Sequence, residues 1–220
     1  MKKVLIKNII HNLVIYVQPK IQSKNVIIKL INKFFFILLA KLYSSLFPIY
    51  PNFKKKGILY LNSAYNSFLL LSKELRLNNI NAFSVDLVSP DNYRESFFAR
   101  HDINLYYVFK NKNLYDFYKL SHYFEIKKKF SIIHFTGIYG LERSINLHSN
   151  TLAQEFNFVK LFKKRGIKII YTCIGCNDTI KQNEWFSHTK GMCFYCVHKE
   201  KPEVCSDDYN YKWKLYLEKY

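Results

Sequence analysis

Ile167-Lys-Ile-Ile-Tyr-Thr-Cys-Ile-Gly-Cys-Asn-Asp178 reads as a buried-type strand, Ile167–Cys173, running straight into a tight loop. Polar and thiol groups stand at its carboxyl end, where Gly175 lets the backbone turn. The preceding segment, Asn150–Lys164, reads as a helix with Leu152, Phe156, Phe158, Val159 and Phe162 as its apolar side and Gly166 as its stop. Helix, strand and polar exit loop form the repeating unit of an open α/β sheet. Ligands bind such sheets beyond the carboxyl ends of the strands.

The same alternation extends upstream to Gly57. Ile58–Asn62 is a short apolar strand, and Ser67 caps a helix over Phe68–Asn78, broken by Asn78-Asn79. Ala82–Val88 is a second strand, closed by the turn Pro90-Asp91-Asn92. Leu105–Phe109 reads as a third strand, Leu114–Lys128 as a helix ending in lysines, and Ser131–Phe135 as a strand with Thr136-Gly137 as its exit. Strands of this length separated by helices predict a Rossmann-like α/β fold, a parallel sheet with helices on both faces.

Residues 1–52 have a different character. Val26–Phe47 reads as a basic amphipathic helix, punctuated by Lys29, Lys33 and Lys41, and no acidic residue precedes Glu74. A wide apolar face with lysines suits in-plane binding to an anionic membrane surface; the competing reading is a helix packed on the domain with solvated lysines. Pro48 and Pro51 end it and Lys54–Lys56 form a basic hinge. The expected division is a membrane-association segment, 1–52, and a Rossmann-like domain, 53–220, carrying a Cys-rich loop at 173–205.

The totals set bounds. The 220 residues are 49% hydrophobic and 18% aromatic, which excludes wholesale disorder. A formal net charge of +18 suits phosphate-bearing partners, although lysine excess in a chain rich in Ile, Asn, Tyr and Phe also fits a codon bias toward A and T. No signal peptide or transmembrane span is evident; the most apolar run, Phe34–Ala40, is 7 residues. All five cysteines fall between Cys173 and Cys205, which suggests a reducing compartment and a local thiol site.

Cys173-x2-Cys176 and Cys193-x2-Cys196 have zinc-ribbon spacing. Cys173 sits at the end of a core strand, so Cys176, Cys193, Cys196 and Cys205 form the better ligand set for zinc, with His188 and His198 as further candidates; free thiols are the alternative. Ser63, Tyr65 and Asn66 lie in the loop leaving the first strand, and His134, Thr136 and Gly137 at a later strand end. Gly175, Asn177 and Asp178 follow the last. Each has a plain structural reading as cap, turn or hydrogen-bonded core residue. No Gly-x-Gly-x-x-Gly fingerprint, Walker loop or paired-carboxylate motif occurs.

The order of Gly57-Ile-Leu-Tyr-Leu-Asn62, Lys73-Glu-Leu-Arg-Leu-Asn-Asn-Ile80, Ser131-Ile-Ile-His-Phe-Thr-Gly137, Phe162-Lys-Lys-Arg-Gly-Ile-Lys-Ile-Ile-Tyr171 and Ile174-Gly-Cys-Asn-Asp178 resembles the N-terminal half of a GT-B glycosyltransferase. The group-1 enzymes of bacterial surface polysaccharide synthesis are the nearest likeness, over roughly residues 57–220. The resemblance implies sugar transfer from a nucleotide-sugar to an acceptor, often a lipid-linked saccharide, with this half holding the acceptor at the cytoplasmic face of the plasma membrane. Thr136 and Ile174 stand where the family often has histidines, and the donor half is expected from a partner subunit or is lost by truncation. The alternatives are a zinc-bearing nucleic-acid binder, disfavoured because lysines are spread over the whole chain, and a non-catalytic α/β interaction protein.

Overall fold

The computed structural model describes residues 2–61, 67–86, 101–109, 111–136 and 158–172. The chain opens with α1 (Lys2–Val17), a 3-10 turn at Gln18–Gln22 and α2 (Val26–Leu46). β1 (Gly57–Leu61), α3 (Ser67–Leu77), β2 (Ala82–Asp86), β3 (Ile103–Asn104) and α4 (Leu105–Val108) follow. A 3-10 turn at Lys112–Leu114 leads into α5 (Tyr115–Lys129), β4 (Phe130–Thr136), α6 (Phe158–Lys164) and β5 (Lys168–Thr172). The five strands form one sheet in the order β3-β2-β1-β4-β5, and every pairing is parallel. The fold is α/β and Rossmann-like, as the alternating pattern predicts.

Local chemistry sets most boundaries. The Asn25 side chain caps α2 by accepting from Ile27 N and Ile28 N at 3.0 and 3.2 Å. α3 and α6 both stop on left-handed residues, Asn79 (φ 61°) and Gly166 (φ 73°). In each, the next amide reaches back to the last turn, Ile80 N to Leu75 O and Ile167 N to Phe162 O. Gly57 is required by a close approach: a Cβ there would collide with the carbonyl oxygen of Asn81, which accepts from Ile58 N.

The third strand differs from the sequence expectation. Leu105–Val108 is a short helix, and β3 is only the two residues before it. Asn104 redirects the chain, because its side chain accepts from Tyr106 N at 2.9 Å and starts a helical turn. That turn places Leu105 and Phe109 together in the core. A five-residue apolar run carries no periodicity able to exclude a helix.

One face of the sheet holds the main core. Leu59, Leu61, Val85, Phe130, Ile133 and Phe135 meet Phe117 and Leu120 of α5 and Val159 and Phe162 of α6. α3 covers the other face through Phe68 and Leu75 against Tyr60 and Ala82. The main core continues into α1 and α2: Ile10, Val14, Phe36, Ala40 and Tyr43 are buried in it, with Phe36 and Tyr43 edge-on to Phe117 at 5.9 and 5.2 Å. The compositional boundary at residue 52 therefore does not interrupt the core, and α1, which has no clear helical signature in sequence, is half of a helical pair laid on the sheet domain.

A buried ionic knot fixes that attachment. Glu125, 3% exposed, accepts from Ile49 N and Tyr50 N, both at 2.8 Å, and pairs with Lys129 at 2.9 Å. The Lys129 ammonium also donates to the Tyr50 carbonyl, and the Tyr50 hydroxyl lies 2.6 Å from His122 Nε2. Glu125→Ala leaves a buried ammonium and two amides without their acceptor and should cost about 3–5 kcal/mol. Glu125→Leu with Lys129→Met should recover much of that loss. Chemical denaturation of both variants checks this, and an unaffected single variant would remove the knot's structural role.

Candidate functional site

The topological switch point is set by the strand order. From β1 the chain builds outward through β2 to β3, then returns to place β4 on the other side of β1. The crevice between the carboxyl ends of β1 and β4 is where an open parallel sheet binds ligands. Tyr60 and His134 are register partners on these two adjacent strands, and Thr136 is the last residue of β4, opposite Thr172.

His134 is the sequence-derived candidate that the described residues place most fully. Its ring is half-buried against Phe68, with centroids 4.7 Å apart, and Tyr60, at 5.4 Å. Nε2 lies 2.7 Å from the Thr172 hydroxyl. Burial lowers the ring's pKa from its ordinary 6.5, so it is neutral at neutral pH. Nδ1 has no partner among the described residues. A neutral imidazole with one nitrogen held by a hydroxyl can donate to, or accept from, a ligand hydroxyl with the other. Beside it, Ile170 and Thr172 are exposed on the same face of the sheet.

The other loop candidates, Ser63, Tyr65, Asn66, Gly137, Gly175, Asn177 and Asp178, lie outside the described residues, as do Cys176, Cys193, Cys196 and Cys205. For Thr136 only the backbone is described. Among the described residues no three potential metal ligands converge. The three membrane-facing candidates separate on α2. Lys41 is exposed, whereas Lys29 and Lys33 are half-buried, seven residues before Phe36 and Ala40 and so on the side that faces the protein.

The apolar surface of the first two helices is larger than sequence periodicity alone indicates. Of the 23 large hydrophobic residues exposed among the described residues, 17 lie on α1 and α2. On α2, Ile27, Leu30 and Phe34 are 68%, 58% and 65% exposed. The first 73 residues hold twelve lysines and no carboxylate side chain. The first two helices thus combine an extensive exposed apolar face with uniformly basic surroundings. No helix among the described residues is long and apolar enough to cross a membrane.

A second polar cluster, missed in the sequence, closes the other side of β2. Asp102 accepts from Ser72 Oγ (2.7 Å), Ser84 N (2.8 Å) and both Arg76 guanidinium nitrogens (2.8 and 2.6 Å). His101 places Nδ1 3.1 Å from Ser84 Oγ and Nε2 3.2 Å from Asp86 Oδ2. This serine–histidine–aspartate chain is not hydrolytic machinery, because Ser84 is fully buried and no substrate carbonyl can reach its oxygen. It joins the end of β2 to the start of β3. Only the parallel pairing of these strands brings residues 84, 86, 101 and 102 together, so no local spacing signals it.

No protein-family model, curated protein or solved structure significantly matches this chain.

Burial raises the Asp102 carboxyl, but the Arg76, Ser72 and Ser84 hydrogen bonds outweigh it and hold the pKa below its ordinary 3.8. A carboxylate held low in the fold contributes its stability in full above that ordinary value and loses it as pH falls through the lowered one. Asp102→Asn should lower stability at neutral pH by about 2 kcal/mol and flatten the acid limb of the stability profile. Acid limbs that superimpose for variant and wild type would contradict this.

Proposed function

We propose that this chain is the acceptor-side half of a GT-B glycosyltransferase, binding a lipid-linked saccharide at the inner face of the plasma membrane. The strand order carries the reading. It puts the topological switch point at the carboxyl ends of β1 and β4, where open parallel sheets bind ligands, and His134, a neutral hydrogen-bonding ring on an aromatic bed, stands two residues before the end of β4. Hydroxyl-rich ligands suit such a group, which orients them without charge. The basic, apolar surface of α1 and α2 supports the membrane part, since it would set the domain beside an acceptor carried in the bilayer.

In this reading the chain supplies binding and orientation. The nucleotide-sugar is held by a donor half outside these 220 residues, in a partner subunit or a further domain. Zinc would be held by Cys176, Cys193, Cys196 and Cys205 and would supply folding free energy to the Cys-rich segment that follows β5 in sequence.

The test is binding to vesicles carrying a polyprenyl-diphosphate-linked saccharide against vesicles of the same lipids without it. The chain should prefer the former, and His134→Ala should reduce that preference roughly tenfold while leaving attachment to plain vesicles unchanged. No preference for the saccharide-bearing vesicles would sink the acceptor reading. Elemental analysis should find one zinc per chain, lost in Cys193→Ser; metal-free protein would remove that part alone.

A further inference from the structure

Two basic tripeptides far apart in sequence meet at the amino-terminal edge of the sheet. Lys54-Lys55-Lys56 immediately precedes β1, and Lys127-Lys128-Lys129 closes α5 immediately before β4. β1 and β4 are parallel neighbours, with Gly57 paired to Phe130, so both tripeptides arrive at one place. The Lys56 ammonium donates to the Lys127 carbonyl at 3.4 Å. Between them is a cavity of about 180 Å³ lined by residues 52–56 with Lys128 and Lys129.

Of the five lysines lining this cavity only Lys129 is paired with a carboxylate among the described residues. Glu125 is the nearest carboxylate on α5, and it is committed to Lys129 and two backbone amides. No described carboxylate forms an ion pair with Lys54, Lys55, Lys56, Lys127 or Lys128. Burial lowers the pKa of the Lys127 ammonium, and the positive charges of Arg165, Lys41 and Lys56 lower it further. The negative end of the α5 dipole accounts for lysines in its last turn. It does not account for three more on the facing irregular segment. Like charges gathered around a cavity repel, and a bound anion relieves that repulsion.

Apolar surface of α2 lies within charge range of the second tripeptide. Lys41, whose charge reaches Lys127, stands on α2 beside Leu38 and Leu42, 48% and 46% exposed. Phosphate chemistry near exposed aliphatic side chains fits a phospholipid better than a nucleic acid, because only the lipid offers acyl chains to those side chains.

We propose that this lysine cavity binds the phosphate of an anionic lipid headgroup, holding the amino-terminal edge of the sheet against the bilayer while the apolar face of α2 enters the acyl boundary. This rests on the membrane association read above, and the measurements separate the two. With the full chain, binding is measured to vesicles of phosphatidylcholine alone and with phosphatidylglycerol. Lys54→Gln/Lys55→Gln/Lys56→Gln should lose about 100-fold in affinity for the anionic vesicles, each lysine near such a surface being worth a factor of about 5. Lys24→Gln/Lys73→Gln/Lys168→Gln removes equal charge from scattered exposed sites and should lose only a few-fold. Inorganic pyrophosphate should bind the wild type by calorimetry, compete with the vesicles, and fail to bind the cavity variant. The Lys54→Arg/Lys55→Arg/Lys56→Arg variant should bind like wild type.

Equal losses in the cavity variant and the scattered variant would overturn the site in favour of diffuse attraction. Tighter binding to single-stranded RNA than to anionic vesicles would overturn the lipid as its source, as would pyrophosphate binding without any vesicle binding. Phe35→Ser/Leu38→Ser/Leu42→Ser addresses the underlying reading: it should weaken binding to both vesicle types, and wild-type binding by this variant would sink membrane insertion by α2 while leaving the cavity to be judged by the lysine variants.

Discussion

The Glu125 carboxylate is the point on which the two parts of the molecule are joined. It is buried on α5, the helix that returns the chain from the edge of the sheet to its centre, and it takes the backbone amides of Ile49 and Tyr50. Those residues belong to the linker between α2 and β1, between Pro48 and Pro51. Prolines donate no backbone hydrogen bond, so a linker built on them has few ways to satisfy its amides inside a core. One carboxylate supplies both acceptors, and Lys129 balances its charge while also donating to the Tyr50 carbonyl. The linker then enters β1 at a fixed point, and α2 is held along α5 by the Phe36, Tyr43 and Phe117 rings.

That attachment leaves the outer surface of the helical pair uncovered. Burying Phe36, Ala40 and Tyr43 uses one side of α2, and the opposite side is apolar as well. A soluble domain normally gives that side polar residues. Here lysines are concentrated around the surface instead of acidic and basic residues in alternation. The sheet adds the second element, because its parallel order puts every strand entrance at one edge and every strand exit at the other. The lysine tripeptides occupy the entrance edge and His134 lies near the exit edge, so the fold separates the two by the length of the strands.

Much of this was legible residue by residue. The helices and strands from Gly57 onward follow from apolar runs and from stop signals such as Asn79 and Gly166, whose left-handed backbone the structure contains. Leu105–Phe109 was misread because the decisive residue, Asn104, acts through a side-chain cap just outside the apolar run. α1 was not legible: Lys2–Val17 mixes lysine, asparagine and aliphatic residues, and its helix gains its order from Ile10, Val14 and Val17 packing into a core formed by distant segments.

The sequence by itself determined the α/β alternation, the basic charge, the position of His134 near a strand end and the division in composition at residue 52, because these depend on local pattern and residue type. Tertiary structure alone decided which lysines face the surface, which tripeptides share a cavity, and that Ser84, Asp86, His101 and Asp102 form one buried cluster. The reason is pairing. Parallel strands join residues tens of positions apart, and no local period in the chain records which strand lies beside which.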